Sequence, residues 1–261
     1  QKNSFSMITG VNTLYNALLN DFVFKSLDFS RLKLAIGGGM AVQKSTSDQW
    51  HKLTGKLIIE GYGLTETSAA VSVNSIDTLD FNGSVGFPFS FTEVSVRDDA
   101  GQSVSVGMYG ELWVRGPQVM KEYYNRPAET ADVLTSEGWL KTGDIVALSQ
   151  EGSITLVDRK KDMIIVSGFN VYPSEIEDII SNYPGILDVA VIGVEDEHSG
   201  EVVKVICSLK DKTITSDDIM DHCKQYLTGY KCPKYIEFRD ELPKTNVGKI
   251  LRRELRDTVS V

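Results

Sequence analysis

Short apolar runs alternate with amphipathic segments along the chain, and this pattern predicts an α/β protein. Leu32–Ile36 and Leu57–Glu60 have the length and side chains of short strands, and a glycine-rich turn follows each of them. The segment between them, Thr46–Leu53, has helical spacing. A strand, a turn and a helix in this order are typical of a parallel sheet, whose ligands bind at the carboxyl ends of the strands.

From about Gly83 the pattern changes to short strands separated by turn residues. Phe91–Arg97 alternates apolar and polar side chains, and Tyr109–Val114 and Thr155–Val157 are further strand candidates. This pattern of short strands and turns predicts a β-rich, antiparallel subregion over residues 83–158.

Past Asp158 the pattern returns to mixed helices and strands. The five consecutive charges of Asp158–Asp162 include no apolar anchor, which predicts an exposed linker or hinge. Pro173–Tyr183 is predicted to be helical, and the β-branched runs Leu187–Val194 and Val202–Leu209 to be strands. Ser216 is the expected N-cap of a second helix. The buried stripe of that helix is predicted to comprise Ile219, Cys223, Tyr226 and Leu227.

The composition is that of an ordinary soluble protein and limits the classes of partner that the chain is expected to bind. Its 261 residues are 41% hydrophobic and 24% charged, with 27 basic against 36 acidic side chains and a formal net charge of −9. We expect no nucleic-acid partner, because phosphate binding requires clustered basic residues. Apolar runs such as Val189–Val194 are too short to cross a bilayer. The first residue is Gln1 and not Met, so we expect the chain to be a piece of a longer one.

The cysteines and the basic residues each allow a limited inference. Three cysteines without Cys-x-x-Cys spacing favour a reduced, cytoplasmic setting. Five basic residues crowd near the C-terminus and form either a candidate site for a small anion or a solvated helix face. They are Lys244, Lys249, Arg252, Arg253 and Arg256.

Three segments carry candidate chemistry. In Gly61–Thr67, glycines allow close backbone approach to a ligand, Tyr62 offers a flat face for a purine, and Glu66 is an oxygen ligand of the kind Mg²⁺ prefers. In Gly138–Asp144, a carboxylate on a tight turn can accept hydrogen bonds from both hydroxyls of a ribose. In Pro243–Lys249, the final lysine can donate to anionic oxygens. Taken singly, the first segment is equally consistent with a turn that carries an exposed acid. For the second a plain hairpin, and for the third a solvated lysine, is the favoured interpretation.

Together, in this order and spacing, the three segments resemble the adenylate-forming enzymes, which include acyl-CoA synthetases, firefly luciferase and peptide-synthetase adenylation domains. The resemblance is strongest to bacterial long-chain fatty-acid–CoA ligases and runs from end to end. Its further motifs are Ile8–Leu14, Gly37–Met40, Gly110–Leu112 with Gly116, Tyr124–Pro127, Asp158–Asp162, Ser167–Glu177, Leu227–Lys231 and Gly248–Arg256.

The resemblance implies a mixed α/β architecture in two parts. Residues 1–161 would be the C-terminal portion of the large AMP-binding domain, with an α/β sheet piece and the β-rich subdomain over 83–158. Residues 162–261 would be the small α/β lid domain, with a hinge at about Lys161. The family's upstream Ser/Thr/Gly-rich phosphate loop has no counterpart here, so the isolated chain is expected to be deficient in catalysis.

The reaction implied by the resemblance begins with ATP and a long-chain fatty acid, which give acyl-adenylate and pyrophosphate. By similarity, Tyr62 packs against adenine between Gly61 and Gly63, Thr65 contacts phosphate, and Glu66 holds Mg²⁺. Asp144 binds the ribose with help from Arg159. The backbone of Gly37, Gly38 and Gly39 lines the adenine and acyl side.

The second step implied by the resemblance transfers the acyl group to the CoA thiol and releases AMP. Lys249 bridges the fatty carboxylate and the α-phosphate in the first step, where a cation between two anions lowers their repulsion. The lid then turns about Lys161, withdraws Lys249 and brings Gly168 to the pantetheine tunnel.

Other interpretations remain open at this point. The chain could be a non-catalytic nucleotide-binding or interaction module, or belong to an adenylate-forming ligase with a different acid substrate. Because the substrate is a lipid, we expect a cytoplasmic protein with peripheral contact at the inner face of the cell membrane. A truncated sheet edge also predicts a homodimer.

Overall fold

The computed structural model describes residues 5–246 and 248–258, and the chain divides into two compact units, Gln1–Leu156 and Val157–Val261. The mixed α/β fold class expected from the sequence is confirmed. The division falls within one strand, β9 (Ile154–Arg159).

The first sheet of the N-terminal unit starts with three parallel strands, β1 (Met7–Gly10), β2 (Leu34–Gly37) and β3 (Ile58–Tyr62). Two short strands, β4 (Ser72–Val73) and β5 (Phe87–Pro88), then continue it in antiparallel pairing. Three helices connect the parallel strands: α1 (Asn12–Asn20), α2 (Phe22–Lys25) and α3 (Lys44–Thr54). Their core is aromatic, with Tyr15 and Trp50 in edge contact and fully buried.

The second sheet of this unit has the order β6–β7–β8–β9. Strand β6 (Glu93–Arg97) pairs antiparallel with β7 (Gly110–Arg115), which pairs antiparallel with β8 (Leu140–Leu148). Helix α4 (Pro127–Val133) precedes β8 and starts with proline, as suits a first helical turn. The alternating pattern after Gly83 therefore folds as antiparallel strands, as predicted.

The C-terminal unit is one mixed sheet with helices. The antiparallel order is β11 (Phe169–Val171), β10 (Ile164–Val166), β13 (Gly200–Leu209) and β12 (Ile186–Asp196), and β14 (Tyr235–Phe238) pairs parallel with β13. The helices are α5 (Pro173–Ser181), α6 (Ser216–Tyr226) and α7 (Arg252–Asp257). Its largest apolar core packs Ile176 and Ile180 of α5 and Ile219 of α6 with sheet residues such as Val191 and Val205.

Two details of helix α6 differ from the sequence prediction. Thr215, and not Ser216, is the N-cap: its hydroxyl accepts from the Asp218 amide, and the Asp218 carboxylate accepts from the Thr215 amide at 2.8 Å. Tyr226 is 65% exposed instead of buried, because it is the last helical residue and its ring lies against His222 on the helix surface.

Among the described residues, no helix has both the length and the apolar character that a membrane crossing requires.

Candidate active site

Glycines at the carboxyl ends of the parallel strands bring three backbones close together. A Cβ on Gly37 would lie 2.5 Å from the Val42 side chain, and one on Gly38 would lie 3.2 Å from the carbonyl oxygen of Gly61. The Gly38 amide also donates to the Gly10 carbonyl at 3.2 Å. Gly39 has a left-handed φ of +76°. The strand ends are thus glycine-lined at the edge where parallel sheets bind ligands.

The turn after β3 requires its glycine. A Cβ on Gly63 would lie 2.3 Å from the carbonyl oxygen of Ala69, which the chain reaches by folding back through two left-handed residues, Ser68 and Ala69. The buried Thr67 hydroxyl accepts from the Leu64 amide at 2.9 Å and holds the turn. The turn therefore presents two intervening residues: Thr65 is exposed and Glu66 is half-buried.

Glu66 is fixed by a tyrosine that the sequence reasoning missed. The Tyr123 hydroxyl donates to Glu66 Oε1 at 2.7 Å, and the Met120 amide donates to the Glu66 carbonyl at 2.7 Å. Burial of the phenol, with the hydrogen bond to the carboxylate, raises the pKa of Tyr123 to about 12. The tyrosine therefore stays a hydrogen-bond donor at neutral pH. Tyr123 borders the Tyr124–Pro127 motif, which is the one sequence signal that pointed to this place.

Asp144 lies on a bulge within strand β8, and not on the tight turn expected from the sequence. Leu112 of β7 faces a stretch of β8 where the register shifts, between the pairs Glu111↔Ile145 and Trp113↔Lys141. The Thr142 hydroxyl donates to the Leu112 carbonyl at 2.7 Å, and the Gly143 amide donates to the buried Glu111 carboxylate at 3.1 Å. A bulge re-aims the side chain beside it, and here both sides of the bulge are hydrogen-bonded.

Tyr62 and Asp144 meet, although 82 residues separate them in sequence. The Tyr62 hydroxyl donates to Asp144 Oδ2 at 2.5 Å. Both side chains are buried, with 9% of Tyr62 and 4% of Asp144 exposed. Two of the three candidate segments therefore converge within the N-terminal unit.

A buried acid also precedes this site. Glu60 is the third residue of β3, and burial raises the pKa of its carboxyl to about 7, although a hydrogen bond from the Val42 amide partly opposes this. Sequence reasoning placed Glu60 only at a strand end, because alternation along a short strand does not distinguish a buried acid from an exposed one.

In the C-terminal unit, Lys249 lies in a backbone-anchored turn. The Thr245 amide donates to the Lys249 carbonyl at 2.8 Å, the Lys249 amide donates to the Thr245 hydroxyl at 3.1 Å, and Lys244 and Ile250 form an antiparallel bridge. The Lys249 residue is exposed. The turn thus holds the main chain and directs this residue to the surface.

The other three candidates of this unit occupy a turn, a strand end and a hairpin tip. Arg159 ends β9, and Lys161 is exposed within the single turn Lys160–Asp162. Gly168 has a φ of +84° at the tip of the β10–β11 hairpin, and no atom lies within 4 Å of where its Cβ would be. The hinge and tunnel roles remain predictions.

The charged run at residues 158–162 is not the exposed linker that its sequence suggested. Asp158 and Asp162 are 6% and 8% exposed. Arg252 contacts both carboxylates, at 3.2 Å and 3.3 Å, and its Nη2 also donates to Glu177 at 2.5 Å. Arg256 donates to Asp162 at 2.6 Å. The arginine partners of Asp158 and Asp162 lie about 90 residues further along the chain, so a local charge pattern could not reveal them.

The same ion pairs bear on whether the five basic residues near the C-terminus form a site for a small anion. Arg252 and Arg256 belong to the carboxylate cluster, and Lys244 pairs with Asp188 at 2.7 Å. Arg253 also lies 3.9 Å from Asp257, so four of the five basic residues have a carboxylate partner, which disfavours a small-anion site built from all five. Within the described residues, no group of three or more His, Cys, Asp or Glu side chains is arranged to hold a metal ion.

Comparison with known proteins identifies the family. The model of the AMP-binding enzyme matches residues 1–124, and that of the AMP-binding enzyme C-terminal domain matches residues 175–249. The chain belongs to the AMP-binding enzyme family. Similarity to individual relatives spans almost its whole length. It is 57% identical over 253 residues to a long-chain-fatty-acid–CoA ligase of Yersinia pestis, covering 97% of this chain and 45% of the relative.

Two further relatives show the breadth of this AMP-binding family. A feruloyl-CoA synthase of Amycolatopsis is 39% identical, over 96% of this chain and 51% of the relative. The O-succinylbenzoate–CoA synthetase of Bacillus subtilis, solved with ATP and a magnesium ion, is 31% identical with a TM-score of 0.85, over 97% of this chain and 51% of that one. The chain thus spans about half the length of these relatives.

Proposed function

We propose that this chain takes part in the ATP-dependent activation of a long-chain fatty acid and its transfer to CoA. The observation that carries the proposal is the convergence of the Gly-Tyr-Gly turn and Asp144 at the glycine-lined end of a parallel sheet. The 57% identity to a long-chain-fatty-acid–CoA ligase supports the substrate class.

In the first step, a fatty-acid carboxylate oxygen attacks the α-phosphorus of ATP, and the bond to pyrophosphate breaks. Tyr62 and the backbone of Gly37–Gly39 and Gly61–Gly63 would bind the adenine. Asp144 would accept from the ribose hydroxyls, assisted by Arg159, and Thr65 would donate to a phosphate oxygen. These groups bind and orient the nucleotide, which supplies much of the rate enhancement in phosphate chemistry.

Glu66 fits a magnesium ion that is held jointly with substrate phosphates. Mg²⁺ commonly takes only one or two protein carboxylates and completes its shell with phosphate and water. One oxygen of Glu66 accepts from Tyr123, which orients the carboxylate. When bound, the ion would neutralise charge on the phosphates. A relative solved with ATP and magnesium supports this assignment.

Lys249 would bring a positive charge between the fatty carboxylate and the α-phosphate. Its turn is held by backbone hydrogen bonds and the residue is exposed, which supports a role in which the lysine reaches a bound substrate. In the second step, the CoA sulfur attacks the acyl carbonyl carbon, and AMP leaves with the bonding electrons. A lid rotation near Lys161 that replaces Lys249 with the Gly168 hairpin would separate the two steps.

We further propose peripheral membrane contact at the inner face of the cell membrane and a homodimer. The lipid nature of the substrate supports the first. The exposed phenylalanines Phe87, Phe89 and Phe91 of the N-terminal unit support either contact, since exposed apolar side chains grouped along a chain favour association.

The acid substrate is tested by ATP–pyrophosphate exchange with the protein at its natural length. We expect palmitate to support exchange and ferulate to support much less. Exchange driven by ferulate and not by palmitate would replace the fatty acid with an aromatic acid and leave the adenylation proposal standing. No exchange with either acid, while AMP still binds, would favour a non-catalytic nucleotide-binding module.

A further inference from the structure

A neighbouring segment of the chain holds both the main chain and the carboxylate of Glu66. The Ser68 hydroxyl donates to the Gln118 carbonyl at 2.9 Å, and the Met120 amide donates to the Glu66 carbonyl at 2.7 Å. These two bonds fix the main chain of the turn. The carboxylate accepts from the Tyr123 hydroxyl at 2.7 Å, on one of its two oxygens, Oε1.

Tyr123 is itself held in place by helix α4. Its amide donates to the Thr130 hydroxyl at 3.0 Å, and that hydroxyl donates at 2.7 Å to the carbonyl of Arg126, the N-cap of the helix. The tyrosine therefore reaches Glu66 from a fixed main chain. Within the part of the chain that the structure describes, no other hydrogen bond or ion pair reaches the Glu66 carboxylate, so its second oxygen, Oε2, is available to an ion.

We propose that Tyr123 makes the metal site at Glu66 selective for Mg²⁺ over Ca²⁺, because it limits the carboxylate to one coordinating oxygen. The inference rests on the proposed function, in which Glu66 holds an ion together with the nucleotide phosphates. Mg²⁺ requires a compact octahedral shell, which a single carboxylate oxygen, phosphate oxygens and water can complete. Ca²⁺ takes a larger shell and often binds a carboxylate through both oxygens.

The hydrogen bond discriminates between the two ions because only one mode of coordination leaves it intact. An ion bound to Oε2 alone keeps Tyr123 bonded to Oε1. An ion bound to both oxygens must displace the hydroxyl of a half-buried tyrosine, which then loses its acceptor at a cost in free energy. Tyr123 is thus a positioning residue, since it contacts the carboxylate and acts on the ion only through Glu66.

The test measures, by calorimetric titration, how tightly the protein at its natural length binds the Mg²⁺ and the Ca²⁺ complexes of α,β-methylene-ATP. The methylene bridge prevents the release of pyrophosphate, so binding is measured without reaction. The variants are Tyr123→Phe, Glu66→Gln and the control Tyr124→Phe. Tyr124 is a matched control because it is the adjacent residue, takes the same substitution and is 88% exposed. Titration with metal-free AMP reports whether each variant keeps its nucleotide site.

We expect the unaltered protein to prefer the Mg²⁺ complex and Tyr123→Phe to lose about tenfold of that preference, while its affinity for AMP is unchanged. Tyr124→Phe should keep the preference.

Three results would overturn the inference: no preference in the unaltered protein, an equal loss of preference in Tyr124→Phe, or a Tyr123→Phe variant that weakens both metal complexes by the same factor. If Glu66→Gln loses the preference while Tyr123→Phe keeps it, the inference is overturned and the ion-binding role of Glu66 stands. If Glu66→Gln keeps the preference, that role fails and the inference fails with it.

Discussion

The two units of this chain hold their candidate residues by different means. In the N-terminal unit, glycines let backbones approach closely, and Tyr62, Asp144 and Glu66 are hydrogen-bonded to neighbouring elements. In the C-terminal unit, Lys249, Lys161 and Gly168 are exposed, and the buried carboxylates Asp158 and Asp162 belong to the cluster around Arg252.

Under the proposed function, this difference would separate residues that form a nucleotide site within one unit from residues that are brought to that site by the other unit. Residues that bind a nucleotide gain from a fixed geometry, because the conformational freedom that flexible side chains lose on binding costs affinity. Residues that act in only one of two steps must be able to leave, so a rigid body that presents them on turns is sufficient. The ion pairs around Arg252 link α7 to α5 and to the segment 158–162, so we expect them to stabilise the fold of the C-terminal unit.

Removing Arg252, at the centre of the carboxylate cluster, should have the largest effect on the C-terminal unit. Arg252→Ala leaves the buried Asp158 and Asp162 and the half-buried Glu177 without this cation, and we expect it to lower the stability of the C-terminal unit by about 4 kcal/mol. Amide hydrogen exchange in strands β12 and β13 measures this loss.

Arg253 provides the matched control for this cluster, because it is the next residue and its side chain is 92% exposed. Arg253→Ala should change exchange by less than about 1 kcal/mol. Equal effects of the two substitutions would show that the buried cluster does not stabilise the unit.

A second comparison uses one glycine from each unit. Gly63→Ala places a methyl group 2.3 Å from a backbone oxygen, so we expect a loss of about 3 kcal/mol in the N-terminal unit. Gly168→Ala meets no atom within 4 Å and strains only a left-handed φ, for a loss of about 1 kcal/mol. Urea unfolding followed by tryptophan fluorescence reports the first, because Trp50, Trp113 and Trp139 all lie in the N-terminal unit.

Amide exchange of strands β10 and β11 reports the second substitution. A Gly168→Ala loss as large as that of Gly63→Ala would contradict the distinction between a close-packed turn and an open one.

Two buried carboxyl groups, Glu60 in the N-terminal unit and Asp162 in the C-terminal unit, should contribute to stability with opposite dependence on pH. Burial raises the pKa of Glu60 to about 7 from an ordinary value of 4.5, so the folded N-terminal unit retains a proton that the unfolded chain releases. Its contribution is full below about pH 4.5 and is lost as the pH rises through about 7, by about 2 kcal/mol. Glu60→Gln should remove this dependence, as tryptophan fluorescence between about pH 5 and 8 would show.

Asp162 gives the opposite sign in the C-terminal unit. Burial alone would raise the pKa of Asp162, but the hydrogen bond from Arg256 and the charge of Arg252 hold it below its ordinary value of 3.8. Its stabilising contribution is therefore present above about pH 3.8 and lost as the pH falls through the folded-state value. Asp162→Asn should remove this contribution, and a C-terminal unit that loses the same stability between about pH 5 and 3 with and without the substitution would contradict it.

The sequence predicted most elements because local periodicity carries them. The strands that contain Val94, Trp113 and Val191 follow from alternation or β-branched runs, and helix α5 follows from its proline and apolar spacing. The N-cap of α6 was misplaced by one residue because Thr215 and Ser216 are both good caps, and only the geometry of Asp218 distinguishes them.

The candidate site was less accessible to sequence reasoning because its contacts are long-range. The Tyr62–Asp144 bond joins residues from two segments that motifs pointed to separately, and Tyr123 reaches Glu66 across 57 residues. The burial of Asp158 and Asp162 was missed for the same reason, since their guanidinium partners are far along the chain. Motif resemblance located the residues, and only the fold defines their partners.

The most direct test of the account separates the two half-reactions in Lys249→Ala, measured on the protein at its natural length. We predict that fatty-acid-dependent ATP–pyrophosphate exchange falls by at least about a hundredfold, while thioester formation from preformed acyl-adenylate and CoA is retained. Equal loss of both half-reactions would contradict the claim that Lys249 acts in the first step alone and then leaves the site.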